Sequence, residues 1–249
     1  MTITLKRDEQ LEKMREAGKI VAEVLATLEA AVEPGITTQE LDRIAERTIR
    51  RHGATPSCKG YRGFPGSICA SVNDEIVHGF PGPRVLQEGD IISIDTGARY
   101  RGYHGDATIT VPVGTVDPEI ARLIAVCRRA LDIGIEQAVA GNRLTDISAA
   151  IQQYVEGEGF GVVRDLYGHG IGRALHEEPL LPHYGPPGHG VLLRPGLVLT
   201  IEPMIVVGSP KTKTLDNDWT ISTVDGSWAA QFEHTVAITD HGPEILTLL

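Results

Sequence analysis

The stretch from Ile91 to Val111 constrains the fold more than any other part of the chain. Its outer runs, Ile91 to Ile94 and Ala107 to Val111, are β-branched and apolar, and a Gly-rich, aromatic region separates them. That is the pattern of two adjacent antiparallel strands joined by a turn. Each run carries one carboxylate at its inner end, Asp95 and Asp106. A buried strand is an unfavourable place for an aspartate unless the charge is paired or coordinates a metal. Two of them in facing strands repel, which makes a cation between them the natural hypothesis. Taken alone, an Asp at a strand end also serves as a turn-former or a hydrogen-bonded carboxylate.

Helical periodicity lies on both sides of this hairpin. Ile20, Val24, Leu25 and Leu28 recur at helical spacing between Leu11 and Val32, and Glu33-Pro34-Gly35 stops that helix. Thr38 is the expected N-cap of a second helix carrying Leu41, Ile44, Ala45 and Ile49 on one face, with Gly53 after its end. Thr55 to Phe80 reads as irregular chain, and Gln87-Glu88-Gly89-Asp90 as the turn into the first strand. Past Gly114 the pattern returns in register. Sliding the sequence along itself lays Leu25 on Leu131, Gly35 on Gly141, Leu41 on Ile147 and Gly53 on Gly159. A shift one residue longer lays the strand Ile91 to Asp95 on Val198 to Glu202, so a carboxylate falls on a carboxylate. The expectation is an α+β fold in one domain, residues 1–249, with an internal repeat of about 5–113 and 114–249, each half a helix pair followed by antiparallel strands. Coincidence between two amphipathic helix pairs is the competing reading.

The halves also end alike. Asp106-Ala107-Thr108-Ile109-Thr110 and Glu233-His234-Thr235-Val236-Ala237 each set an acid at the start of a β-branched run. Asp95, Asp106, Glu202 and Glu233 would then converge between the sheets. Between the acid pairs lies Gly168-His169-Gly170-Ile171-Gly172, whose glycines let the backbone bend closely around a centre, and this makes His169 a candidate ligand. His176 stands too far from His169 for the helical HExxH arrangement, Arg173 breaks GxGxxG, and no GxSxG elbow occurs. One imidazole with several carboxylates is a hard, oxygen-rich site suited to Mn, Fe(II), Co or Zn. Four acids exceed what one open-sited ion needs, whereas two ions about 3.5–4 Å apart would use them all, with hydrolysis as the default chemistry. His78 and His176 could donate to a substrate amide or a developing oxyanion; each alone is equally read as a structural histidine.

A formal net charge of −10 argues against a binder of nucleic-acid backbones. The N-terminus lacks an apolar h-region and no window approaches a membrane span, so the reading is cytoplasmic. Cys58, Cys69 and Cys127 show no CxxC spacing and suggest reduced thiols.

Asp95, Asp106, Gly168 to Gly172, His176-Glu177-Glu178-Pro179, Ile201-Glu202-Pro203-Met204 and Gln231-Phe232-Glu233-His234-Thr235 match, in order and spacing, the pattern of a type I methionine aminopeptidase, in subfamily A of peptidase family M24. The resemblance runs from about Leu5 to the C-terminus. It implies the duplicated pita-bread fold and a dinuclear site held by Asp95, Asp106, His169, Glu202 and Glu233. It further implies Asp95 on one ion, Asp106 and Glu233 bridging, His169 and Glu202 on the other, and Glu202 as proton shuttle. His176 would contact the scissile carbonyl and His78 the scissile amide nitrogen, with the free amine of the substrate on a metal. Tyr61, Phe64, Cys69, His78 and Trp219 fall on the family's methionine pocket and Cys58 at its rim, soft surroundings suited to a thioether. Leu175 stands where relatives often carry phenylalanine, and Asn73 and Ser71 stand where the family is able to hold a monovalent cation. No zinc-finger or proline-rich extension precedes Leu5, so ribosome docking through an added domain is not expected.

The expected activity is removal of the initiator methionine from nascent chains with a small second residue, near the ribosome, by a cytoplasmic monomer that binds neither nucleic acid nor membrane. An X-Pro peptidase of the same fold, or a non-catalytic binding protein built on it, are the alternatives.

Overall fold

The computed structural model describes residues 3–249; Met1 and Thr2, with which the expected domain begins, lie outside them. Helices α1 (Asp8–Ala31) and α2 (Thr38–Arg51) lead into β1 (Thr55–Pro56), β2 (Ile68–Val72), β3 (Glu75–Val77), β4 (Ile91–Tyr100) and β5 (Tyr103–Pro112). Helices α3 (Pro118–Glu136) and α4 (Leu144–Gly157) follow, then β6 (Gly161–Val162), β7 (Gly168–Gly170), β8 (Glu177–Leu181) and β9 (Val198–Ile201). The chain ends with β10 (Met204–Val206), β11 (Thr212–Thr214), β12 (Ile221–Thr223), β13 (Ala229–Gln231), β14 (His234–Thr239) and β15 (Gly242–Ile245). Every ladder is antiparallel, and the mixture of helices and sheets is α+β.

Helix α1 begins three residues before Leu11, where Asp8 and Glu9 meet the positive end of the helix and the Arg7 N–H donates to the Gln10 side chain at 2.9 Å. The cap of α2 is Thr37 rather than Thr38. Thr37 Oγ1 accepts the Glu40 N–H at 3.2 Å while the Glu40 carboxylate accepts the Thr37 N–H at 2.9 Å, a reciprocal box that outcompetes the neighbouring hydroxyl. Thr38 is the first helical residue, and its hydroxyl is spent on Gly82. Asp117 caps α3 through the Glu119 N–H, with Pro118 in the first turn.

The central hairpin is longer than its sequence pattern suggests. Strands β4 and β5 stay paired from Ile91 opposite Pro112 to Tyr100 opposite Tyr103. Only Arg101 and Gly102, at φ 48° and 83°, make the turn, a two-residue loop of the type that matches strand twist. The residues that read as a loose Gly-rich turn are therefore strand. Gly105 is there because α1 lies directly on β5: a Cβ on it would stand 2.8 Å from the Gly18 backbone nitrogen. In consequence Asp95 and Asp106 sit inside long strands rather than at their ends.

The segment Thr55 to Phe80 is likewise more regular than expected, containing β1 to β3. All five residues of β2 are buried, so it shows no alternation to read, and it pairs with β4 such that Cys69 lies opposite Asp95.

Two apolar cores flank this hairpin. Ile92 and Ile94 of β4 pack with Val21, Leu28, Leu41 and Ile49 of α1 and α2, whereas Ile91 joins Leu123, Ile147 and Ile151 of α3 and α4. The later strands form a five-stranded sheet, β15-β14-β9-β7-β8, and a short one, β13-β10-β6, while β11 and β12 reach back to β3. The seam between β5 and the β13–β14 segment is polar. Thr108 and Glu233 pair through their backbones, Thr110 Oγ1 donates to the Gln231 carbonyl at 2.7 Å, and Thr235 Oγ1 accepts the Asp106 N–H at 3.0 Å. Among the described residues no helix is long and apolar enough to cross a membrane.

Candidate metal centre and its cavity

The seam opens into a cavity of about 320 Å³. Asp95 and Asp106 reach it from β4 and β5, His169 from β7, Glu202 from just past β9, and Glu233 from the link between β13 and β14. One ligand atom each from Asp106, His169 and Glu233 lies within 4.8 Å of the other two, and all three residues are buried. His169 Nε2 stands 3.8 Å from Glu202 Oε1 and 4.0 Å from Asp106 Oδ2.

Strand β7 is thin for a packing reason. A Cβ on Gly168 would meet the Thr200 carbonyl oxygen at 2.5 Å, and one on Gly170 the Glu178 carbonyl oxygen at 2.3 Å. Only glycine on both sides lets the His169 backbone slip between β8 and β9. The ring is then oriented by its own chain. Nδ1 bonds the Gly170 carbonyl oxygen at 2.8 Å, so that nitrogen carries the hydrogen and Nε2 offers a lone pair to the acids.

The carboxylates are held from behind. Glu202 Oε1 accepts from the Thr200 hydroxyl at 2.8 Å and Oε2 from the Gln231 amide at 3.2 Å, and Glu233 Oε2 accepts from the Thr108 hydroxyl at 2.7 Å. Sequence reading assigned no role to Thr108, Thr200 or Gln231. A signal existed: each lies two residues from an acid, at Asp106, Glu202 and Glu233, the spacing at which extended chain returns side chains to one face.

So much buried negative charge does not ionise freely. Burial raises Asp95 to about 6 and Glu202 to about 8. Burial lifts Asp106 and Glu233 well above the carboxylate range, and the neighbouring acids lift them further. His169 moves the other way, to about 3, through burial and the nearby His176 ring. Oδ1 of Asp95 and Oδ1 of Asp106 are buried without a hydrogen-bond partner among the described residues. Unmatched carboxylate oxygens facing an imidazole lone pair fit a divalent cation, which would supply the missing charge and bonds together.

Two further histidines face this cluster. The His176 ring lies 4.1 Å from the His169 ring, tilted by 47°, and its Nδ1 shares a 2.9 Å hydrogen bond with the Tyr61 hydroxyl. The protein wall around it, then the charge of Arg62, lower it to about 4. His78 is also lowered by burial and takes φ 59°, with its carbonyl receiving the Thr220 hydroxyl. Both imidazoles are thus neutral at neutral pH.

The remaining wall is apolar and soft. Phe64, 3% exposed, meets Phe80 and Trp219 edge-on at 5.3 and 5.2 Å, beside the buried thiols of Cys58 and Cys69. Tyr61 and Leu175 complete it, Leu175 packing back onto Leu11 and Met14. Asn73 and Ser71 do not line the cavity. Asn73 binds Asp90 and the Ile91 N–H, and Ser71 accepts from Gly79.

The sequence pattern of metallopeptidase family M24 matches residues 12–240. A methionine aminopeptidase of Clostridium acetobutylicum is 57% identical over 99% of this chain and 99% of its own length. Methionine aminopeptidase 1 of Bacillus subtilis is 55% identical over 98% and 99%. Among solved structures, a methionine aminopeptidase of Thermotoga maritima superposes with a TM-score of 0.98 at 44% identity, covering all of both chains. A prolidase of Pyrococcus furiosus superposes with a TM-score of 0.81 at 22% identity over 98% of this chain and 65% of its own, a likeness of fold alone. The fold is the pita-bread fold.

Proposed function

The chain belongs to metallopeptidase family M24, and from that membership and its acid-lined cavity we infer that it is a methionine aminopeptidase, a metal-dependent hydrolase that removes the N-terminal methionine from polypeptides. The observation that carries this reading is one cavity holding both a buried carboxylate and imidazole cluster and a soft apolar wall.

Asp95, Asp106, His169, Glu202 and Glu233 are the proposed ligands, and four acids with one imidazole suit two ions rather than one. Asp106 and Glu233, whose carboxylate oxygens lie within 4.8 Å of one another, would be shared between the ions. Divalent ions so held supply Lewis acidity, lowering the pKa of bound water and polarising a carbonyl. Mn, Fe(II), Co and Zn all match the donor set.

Glu202 is the proposed proton carrier. Its carboxylate, buried at the cavity wall and oriented by the Thr200 hydroxyl and the Gln231 amide, would take a proton from the attacking water and return it to the leaving amine. His176, neutral and receiving the Tyr61 hydroxyl at Nδ1, offers its Nε2 hydrogen to the carbonyl oxygen as charge builds there. His78 contacts the scissile amide nitrogen. Tyr61, Phe64, Cys69 and Trp219 take the methionine side chain, where thioether contacts to rings and sulfur are favourable. A cavity of about 320 Å³ has room for a methionyl side chain, and preference for a small second residue is proposed with it. Proposed with these roles are action on nascent chains near the ribosome, a cytoplasmic location, a monomeric state and descent of the two helix-pair halves from one repeated unit.

Chelator-stripped protein re-supplied separately with Mn, Fe(II), Co and Zn tests the reading on Met-Ala-Ser and Ala-Pro. Metal-restored methionine release is expected. Turnover of Ala-Pro instead would overturn it in favour of an X-Pro peptidase, and silence on both substrates in favour of a binding protein.

A further inference from the structure

Glu202 stands where its backbone has no strand partner. Strand β9 ends at Ile201, opposite His234, and β10 begins at Met204, opposite Gln231, so the chain passes between two sheets across Glu202 and Pro203. Pro203 has no N–H to share and biases the residue before it toward extended backbone. The Glu202 N–H is met by a side chain from elsewhere in the sequence, donating to Nε2 of His183 at 3.1 Å.

His183 lies just past β8 and is 1% exposed. Its loop is pinned by the Ser148 hydroxyl of α4, which donates to the Pro182 carbonyl. Accepting at Nε2 fixes the tautomer, since the hydrogen must then be on Nδ1. That Nδ1 has no hydrogen-bond partner among the described residues. A buried donor left unmet is destabilising, and an apolar side chain of similar shape would remove the burden. No apolar side chain could accept the Glu202 N–H.

We propose that His183 is a positioning residue for the reaction, anchoring the Glu202 backbone so that its carboxylate meets the attacking water and the leaving amine in one fixed place. The inference rests on Glu202 being the proton carrier. Thr200 and Gln231 hold the two carboxylate oxygens; His183 holds the peptide from which they hang. Release of that peptide lets the carboxylate swing, and a displacement of about 1 Å is enough to lose much of a rate. His183 itself does not line the cavity, so the loss falls on kcat and not on KM.

The test compares His183→Gln with His183→Asn at saturating metal, alongside melting curves and Glu202→Gln. The Gln carbonyl oxygen reaches the position of Nε2, whereas the Asn carbonyl stops one bond short. His183→Gln is expected to keep most of kcat, and His183→Asn to lower it roughly 10- to 100-fold at unchanged KM. Wild-type kcat in His183→Asn, or equal losses in both variants, would overturn the proposal. Should His183→Asn fail to fold, His183→Met, of similar reach without a comparable acceptor, replaces it against His183→Gln with the same expected loss. Wild-type turnover in Glu202→Gln would sink the reading of Glu202 and this inference with it. An inactive Glu202→Gln beside a fully active His183→Asn would sink the inference alone.

Discussion

His169 turns the unprotonated side of its ring toward Glu202, with Nε2 and Oε1 3.8 Å apart. The hydrogen that would make this an attractive contact is committed on the far side, to the Gly170 carbonyl. A lone pair facing a carboxylate is repulsive unless a proton or a cation stands between them. The site therefore takes up one or the other, and the following expectations turn on which.

Replacing Glu202 with Gln keeps the shape and the hydrogen bond from Thr200 but removes the proton carrier. We expect kcat to fall about 10²- to 10⁴-fold, with the melting temperature close to that of the parent. Stopped assays with metal content measured on the same sample check this, and a variant turning over at the parent rate would refute the role.

Metal-free protein should lose stability as pH rises above neutrality. In the fold Glu202 is raised from 4.5 to about 8 and Asp95 from 3.8 to about 6, so the folded state holds protons that the unfolded chain releases near pH 4. Their contribution is complete below pH 4 and is lost through pH 8, since stability falls wherever the folded state binds more protons. Bound metal replaces those protons and removes the slope. Melting curves from pH 7 to 9, above the range in which unfolding would protonate the histidines that burial keeps neutral in the fold, measure it with and without chelator; a chelated protein whose melting temperature climbs over that range would contradict the assignment.

Truncating Trp219 to Ala should weaken binding of the methionine side chain. Trp219 touches the edge of Phe64 and faces His78 at 6.1 Å, so its loss opens the apolar wall while the acid cluster stays in place. KM for Met-Ala-Ser is expected to rise roughly tenfold, the scale of a lost apolar contact, with metal stoichiometry unchanged. Loss of metal in this variant would show that the wall and the acid cluster are not separable.

Changing Thr235 to Val removes a hydroxyl that both accepts the Asp106 N–H and donates to the Asp106 carbonyl at 2.7 Å. With Thr235 fully buried, two backbone groups lose their partner, and a destabilisation of about 1–3 kcal/mol is expected. Denaturant midpoints measure it; a neutral change would mean that the seam closes without that hydroxyl.

The hairpin, both helix pairs and the matched spacing of Asp95 with Glu202 and of Asp106 with Glu233 were legible because hydrophobic periodicity and like-for-like acids leave marks in one dimension. The extent of β4 and β5 was not, because glycines that look like strand breakers admit a helix lying against the sheet, a reason that exists only in three dimensions. Strand β2 was hidden by being buried on both faces. Thr37 lost to Thr38 on paper because the box with Glu40 depends on spacing from the third helical residue. Thr108 and Gln231 bond acids distant in sequence, Thr200 bonds the acid two residues on, and His183 reaches Glu202 from a loop, so linear reading had only a two-residue spacing to offer for the first three and nothing for the last.

The seam between β5 and the β13–β14 segment joins its two sides with hydroxyls and backbone pairs, and the acid cluster is shared across it. Asp95 and Asp106 come from before Gly114; His169, Glu202 and Glu233 come from after it. Ion affinity then acts as a strain gauge for the whole molecule. Loosening along that joint would separate the donors as it disturbs the packing of Ile91 against α3 and α4, so heat, denaturant or a remote substitution that opens it would be felt at the ion as well as in the core.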